Sequence, residues 1–171
     1  TTTIGASLLN KAHPGSVHVF EVQLAYEHSK QIHKFGDSVE FVVTQKLDGF
    51  RSVVEINDGK IVAIRTRKGK LLNNLNELSI KLEEALPNEG HYIFDGELLM
   101  NDNEGRWTSG ERFQQTSKQV SAKGQAHDVA FHIFDALPYD EFINGKSDDK
   151  YSKRREFIDS IDENELVKVV P

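Results

Sequence analysis

The most constraining stretch of the sequence is Asn57-Asp58-Gly59-Lys60, a tight-turn sequence set between two β-rich runs, residues 52–56 and 61–64. Flanked in this way it predicts an antiparallel hairpin. Upstream, Val39, Phe41 and Val43 alternate as a half-buried strand does. The three runs make an antiparallel meander, and its first turn carries Thr44-Gln45-Lys46-Leu47-Asp48-Gly49-Phe50-Arg51. A lysine, an acid, a glycine and an arginine thus fall within one short segment.

Lys46 reads as a nucleophile. A solvated lysine has a pKa near ~10.4, so only about one amine in a thousand is neutral at pH 7, and attack requires desolvation or neighbouring positive charge. Arg51 or a bound metal ion would supply that charge. Leu47 and Asp48 turn the chain, Gly49 lets the backbone close up without a Cβ, and a β-register returns Arg51 to the lysine's ligand. That spacing suits a phosphate or nucleotide pocket. On its own the segment also fits an Asp-Gly turn with a solvated lysine beside it.

Other segments decide between the two readings. With 171 residues and 37% hydrophobic content the chain can bury a core, as one domain or a domain plus a small appendage. It has no cysteine, hence no disulfide frame or thiolate metal site, and its seven histidines show no zinc spacing. No apolar run approaches the ~18 residues of a membrane span, and no signal peptide is visible, which predicts a cytoplasmic protein. The net charge of -6 argues against indiscriminate binding to nucleic acid, so local cation clusters matter more than the total. The strongest is Arg65-Thr66-Arg67-Lys68-Gly69-Lys70, across a glycine turn, which fits a solvated turn or a nucleic-acid backbone contact.

Along the rest of the chain, residues 6–12 predict a short helix stopped by Pro14 and Gly15. Val17, Val19, Val22 and Leu24 alternate, and residues 26–35 read as a short helix or loop. Leu75, Leu78, Leu82 and Leu86 keep a helical period, with Asn73 or Asn74 as the cap. Residues 91–100 read as a strand pair pivoting on Asp95-Gly96, with Glu97 just past the pivot. A carboxylate between apolar neighbours is either paired, bound to a ligand or metal, or turned outward on a half-exposed strand. Residues 107–120 predict a polar helix capped by Thr108 or Ser109, its Arg112 and Lys118 on a solvated face. In residues 129–137, a strand, Phe131, Ile133 and Asp135 share one face and His132 and Phe134 the other. Phe134 beside Asp135 fits a core side chain or a platform for a base. Residues 144–149 form a loop, 151–161 a basic-faced helix, and 165–170 begin another strand.

Together these segments resemble the covalent nucleotidyltransferases: ATP-dependent DNA ligases, RNA ligases and mRNA-capping guanylyltransferases. Lys46-Leu47-Asp48-Gly49-Phe50-Arg51 matches their K-x-D-G-x-R signature, Phe94-Asp95-Gly96-Glu97-Leu98 a second motif, and Phe131-His132-Ile133-Phe134-Asp135 a third, in the expected order. Thr66-Arg67-Lys68-Gly69 is similar to the ligases' arginine-glycine element and favours a DNA ligase over a capping enzyme. Residues 1–16 resemble the link from a preceding helical DNA-binding domain in bacteriophage-type and related ligases, leaving 17–171 as the first two-thirds of an adenylation domain.

The resemblance implies an α+β, ATP-grasp-like nucleotidyltransferase core of antiparallel sheets flanked by helices. It implies that Lys46 attacks ATP to hold AMP covalently, with Mg²⁺ near Glu97, and that the AMP passes to the 5′-phosphate of nicked double-stranded DNA. Arg51 and Glu97 would bind the ribose, Phe134 would stack on adenine, and Thr44 and Gln45 lie where adenine contacts are made. Thr44 stands where many ligases have glutamate. Arg65, Arg67 and Lys68 would contact DNA. The family's later acidic-glycine and lysine motifs, and the OB-fold domain after them, do not occur before Pro171. The expectation is therefore a piece of a longer monomeric ligase that adenylates poorly or not at all and does not seal nicks alone. The other readings are an RNA ligase or capping-type enzyme, or a DNA-binding remnant without chemistry.

Overall fold

The computed structural model describes residues 11–13, 27–34 and 42–171. The expected strands at 17–24 and 39–41, and all but the end of the helix at 6–12, lie outside the described residues. A short helix α1 (His28–Gln31) runs into a single 3₁₀ turn, Ile32–Lys34. The main body follows as β1 (Phe50–Asn57), β2 (Lys60–Thr66), α2 (Asn76–Ala85), β3 (His91–Met100), α3 (Ser109–Ser121), β4 (Val129–Pro138), α4 (Tyr139–Asn144), α5 (Tyr151–Asp159) and β5 (Val167–Val169). The strands form one sheet in the order β2-β1-β3-β4-β5. All neighbours are antiparallel except β4 and β5, which run parallel. This is the α+β architecture expected, with one parallel pair at the sheet's edge.

The hairpin closes where the turn sequence placed it, with Asn57 opposite Lys60 and both Asp58 and Gly59 at positive φ. One face of the sheet carries the core: Val54 and Ile56 of β1, Phe94 and Leu98 of β3, Phe131 and Ile133 of β4, and Val167 of β5 are all buried. Leu75, Leu78, Leu82 and Leu86 complete that cluster with Val120 and Ile158. Burying one such side chain is worth roughly 1.5–3 kcal/mol, so this face holds the sheet together and frees the opposite face for chemistry.

Several local expectations are corrected. Residues 91–100 form one continuous strand, because Asp95-Gly96 interrupts the pairing with β4 without turning the chain. Asp95 lies opposite Asp135 but Gly96 lies opposite Ile133, so Phe134 is an extra residue, a β-bulge. Gly96 permits it: a Cβ there would lie 2.5 Å from the His132 carbonyl oxygen. The bulge also resets the alternation of β4, so that Asp135 leaves the face of Phe131 and Ile133. Neither Asn73 nor Asn74 caps α2, whose N-cap is Leu75. The Asn74 amide instead donates to the carbonyls of Gln119, Ala122 and Gly124, closing the C-terminal end of α3. Residues 42–48 are irregular, and Val43 is 87% exposed.

Helix α3 begins as expected. Thr108 and Glu111 form a reciprocal capping box, and buried Thr116 accepts from the Met100 amide at 2.8 Å. Arg112, expected on a solvated face, donates from Nε to the Met100 carbonyl at 2.7 Å. The N-terminal turn of α3 is thereby fixed beside the end of β3.

His132 occupies the face opposite the core, with Glu97 and Lys168 as its cross-strand neighbours. Its Nε2 is buried with no hydrogen-bond partner. Burial, reinforced by the charges of Arg112 and Lys168, lowers its pKa to about 4 from the ordinary 6.5. Below pH 6.5 the unfolded chain binds a proton that the folded chain refuses until about pH 4, so stability is lost as pH falls through this window, by up to on the order of 3 kcal/mol. His132→Phe should therefore show a flatter fall in urea midpoint between pH 7 and pH 4.5 than the wild type. Parallel profiles would contradict this assignment.

Candidate active site

The face opposite the core is built from odd-numbered residues of β1 and β3. Arg51 lies opposite Glu97, Val53 opposite Asp95, and beyond the bulge Asp135 joins them. An open cleft of about 1340 Å³ lies against this face. Thr44, Gln45, Lys46, Arg51, Glu97 and Phe134, the six residues expected at a nucleotide site, all line it. Arg65, Arg67 and Lys68 do not. They sit on the edge strand and its turn, where Gly69 at φ 79° closes a loop from Thr66 to Lys70. Arg65 pairs with Val53, whose other neighbour is Asp95, so the basic turn borders the same face about two strands, roughly 10 Å, from the cleft.

Sequence constrains the loop that presents Lys46. A Cβ on Gly49 would fall 2.5 Å from the Leu98 carbonyl oxygen and 2.7 Å from Glu97 Cγ. Only glycine lets the loop lie this close to β3, and its amide donates to Glu97 Oε1 at 3.1 Å. At the far side the Gln45 amide donates to the Pro171 carbonyl at 3.4 Å. The Lys46 amine is 84% exposed and paired with Asp48, whose other carboxylate oxygen accepts from Ser109 Oγ at 3.3 Å. That pairing raises the lysine pKa. The pairing with Asp48 favours the charged amine, whereas the expected attack requires the neutral one. Arg51 does not counter this, because its guanidinium is committed to Asp95.

Two arginine–aspartate pairs floor the cleft. Arg51 donates to both carboxylate oxygens of Asp95, at 3.1 and 2.6 Å, and its guanidinium carbon lies 4.9 Å from the Phe134 ring centre. Arg154 of α5 donates to both oxygens of Asp135, at 2.8 and 2.9 Å, and to the Asp149 carbonyl at 2.6 Å. Burial pushes the Asp95 carboxyl up, and the hydrogen bonds from Arg51 act against it. Arg154 and Tyr151 also line the cleft and were read from sequence only as parts of a basic-faced helix. Their signal was the pair of arginines one turn beyond Tyr151, which says nothing about which carboxylate they meet.

Glu97 faces the cleft half-buried. Its pKa is raised, by burial first, with the Gly49 amide and the charges of Arg51 and Lys46 opposing and Asp95 adding to the rise. Among the described residues no three histidine, cysteine, aspartate or glutamate side chains cluster as a metal cage.

The sheet, its bulge and the helices around it make an α+β core with the cleft on one face. The sequence model of the ATP dependent DNA ligase domain matches residues 22–170. The chain belongs to that family. Two solved structures titled Pmar-Lig_Pre and Pmar-Lig_PreS3 share the fold. The first is 23% identical with a TM-score of 0.68, over 96% of this chain and 38% of that one. The second is 22% identical with a TM-score of 0.67, over 95% and 37%. A third, the ligase domain of M. tuberculosis LigD, is 21% identical over 75% and 38%, with a TM-score of 0.47. The chain thus spans less than two-fifths of the length of these structures. No curated protein matches it by sequence. No helix among the described residues is long and apolar enough to cross a membrane.

A carboxyl whose pKa is raised on folding costs stability once it ionises. Below the ordinary value of 4.5 Glu97 is protonated in both states and costs nothing, and as pH rises through its folded value the full cost appears. Glu97→Gln should therefore melt higher than the wild type at pH 7, with the gain fading below about pH 4.5, each kcal/mol being worth roughly 2–4 °C. A variant that melts lower at pH 7 would show that the ionised carboxylate is stabilising.

Proposed function

We propose that this chain is the nucleotide-binding part of an ATP-dependent DNA ligase, and that Lys46 carries AMP as a covalent intermediate. The observation behind the reading is that Lys46, Arg51, Glu97 and Phe134, from three separate sequence motifs, line one cleft on the side of the sheet away from the core. Phe134 offers a ring for adenine, and Thr44 and Gln45 border the same space. Arg51 and Glu97 lie side by side on adjacent strands where a ribose would sit.

In the proposed step Lys46 leaves Asp48, loses its proton and attacks the α-phosphorus of ATP. An N–P bond forms as the bond to pyrophosphate breaks, giving a phosphoramidate. Mg²⁺ held by Glu97 and the phosphates would supply charge that favours the neutral amine and steadies the leaving pyrophosphate. The AMP then passes to the 5′-phosphate of a nick, and the neighbouring 3′-hydroxyl displaces it. Arg65, Arg67 and Lys68 hold the DNA backbone at the edge of the same face, an electrostatic role suited to cations at an exposed turn. In this reading residues 1–16 link to a DNA-binding domain and 17–171 contribute part of the adenylation domain, working as a monomer in the cytoplasm.

Incubation with α-labelled ATP and Mg²⁺ under single-turnover conditions should give label that survives alkaline denaturation, is released by acid, and is absent from Lys46→Ala. No Lys46-dependent label, in this chain or in a longer protein carrying it, would overturn the reading. Nicked duplexes differing only in sugar, offered to the longer protein, should favour deoxyribose ends over ribose ends.

A further inference from the structure

Phe134 is the one residue of β4 that the ladder to β3 skips, since its neighbours Ile133 and Asp135 are paired across the strand and it is not. A bulged residue has no ladder bonds to fix its angle, so something else must. Two contacts from α5 do so. Tyr151 donates its hydroxyl to the Phe134 carbonyl at 3.0 Å. Arg154 grips both oxygens of the next residue, Asp135, and anchors itself on the Asp149 carbonyl. The arginine and aspartate side chains are only 14% and 23% exposed, so solvent competes weakly for the pair.

The same pair governs Arg51. Asp135 lies directly across from Asp95, the partner of Arg51, and the Arg51 guanidinium stacks over the Phe134 ring. With Arg154 in place each carboxylate has its own guanidinium. Without it two neighbouring carboxylates would compete for Arg51 and draw it off the ring. Lysine cannot reproduce this, because a point charge lacks the two-pronged fork that fixes Asp135 in plane.

We propose that Arg154 is a positioning residue that sets the stacking face of Phe134, and hence the fit of the nucleotide base, through Asp135. The proposal rests on the cleft being a nucleotide site. Its test uses 2-aminopurine riboside triphosphate, whose fluorescence is quenched when its base stacks on an aromatic ring, and inorganic tripolyphosphate, which has no base. The wild type should bind and quench the analogue, and Phe134→Leu should abolish the quench. Arg154→Met and Asp135→Asn should lose most of the quench and bind the analogue about tenfold more weakly, with Arg154→Lys intermediate and tripolyphosphate affinity held within about twofold throughout.

An undiminished quench per bound nucleotide in Arg154→Met would overturn the proposal and leave the nucleotide site standing. So would equal losses for analogue and tripolyphosphate alongside a lowered melting temperature, the mark of a purely structural role. If Arg154→Met does not fold, Arg154→Lys and Asp135→Asn carry the comparison, and failure of all three to fold also overturns it. A wild type that does not bind the analogue would sink the nucleotide reading itself.

Discussion

Asp95 and Asp135 face each other on adjacent strands, and everything in the cleft depends on how their charges are met. Like charges directly opposite in a sheet repel, and a carboxylate as buried as Asp95 is costly unless paired. Arg51 comes from β1 to answer one and Arg154 from α5 to answer the other. These pairs tie β1, β3, β4 and the last helix to a single polar floor. Apolar burial on the far side of the sheet supplies the bulk stability, and the polar floor fixes which side chains point into the cleft.

The bulge at Phe134 is the geometric counterpart of that pairing. A regular strand would alternate Phe134 and Asp135 to opposite faces, and only one could meet the cleft. An extra residue in β4 brings both to it, and Gly96 on the facing strand makes room. The Gly49 loop follows the same logic, since the absence of a Cβ lets the lysine-bearing segment lie against Glu97. Two close backbone approaches therefore set the walls of the site.

Much of this was legible in the sequence because it rests on local signals. The hairpin at Asp58-Gly59, the leucine period of α2 and the Thr108 cap are each decided by residues a few positions apart. The grouping of Lys46, Arg51, Glu97 and Phe134 came from motif order. The side-chain face of Asp135 was not legible, because alternation assumes an unbroken ladder and the bulge is set by a glycine on another strand. Nor was the role of Asn74, which sits where a cap belongs yet serves the end of α3. The pairing of Lys46 with Asp48 was not legible either, because Asp48 before Gly49 reads as a turn residue.

The hydrogen bond from Gln45 to Pro171 joins segments near the two extremes of the main body. Contacts between residues so far apart close late, after the loop entropy between them has been met by strands and helices already in place. During vectorial synthesis the hairpin and the leucine-rich helix emerge with most of their contacts at hand, whereas the wall beside Lys46 must await β5. The cleft wall beside Lys46 is thus completed only after the strands beneath it have formed, and its integrity reports that the sheet has already closed.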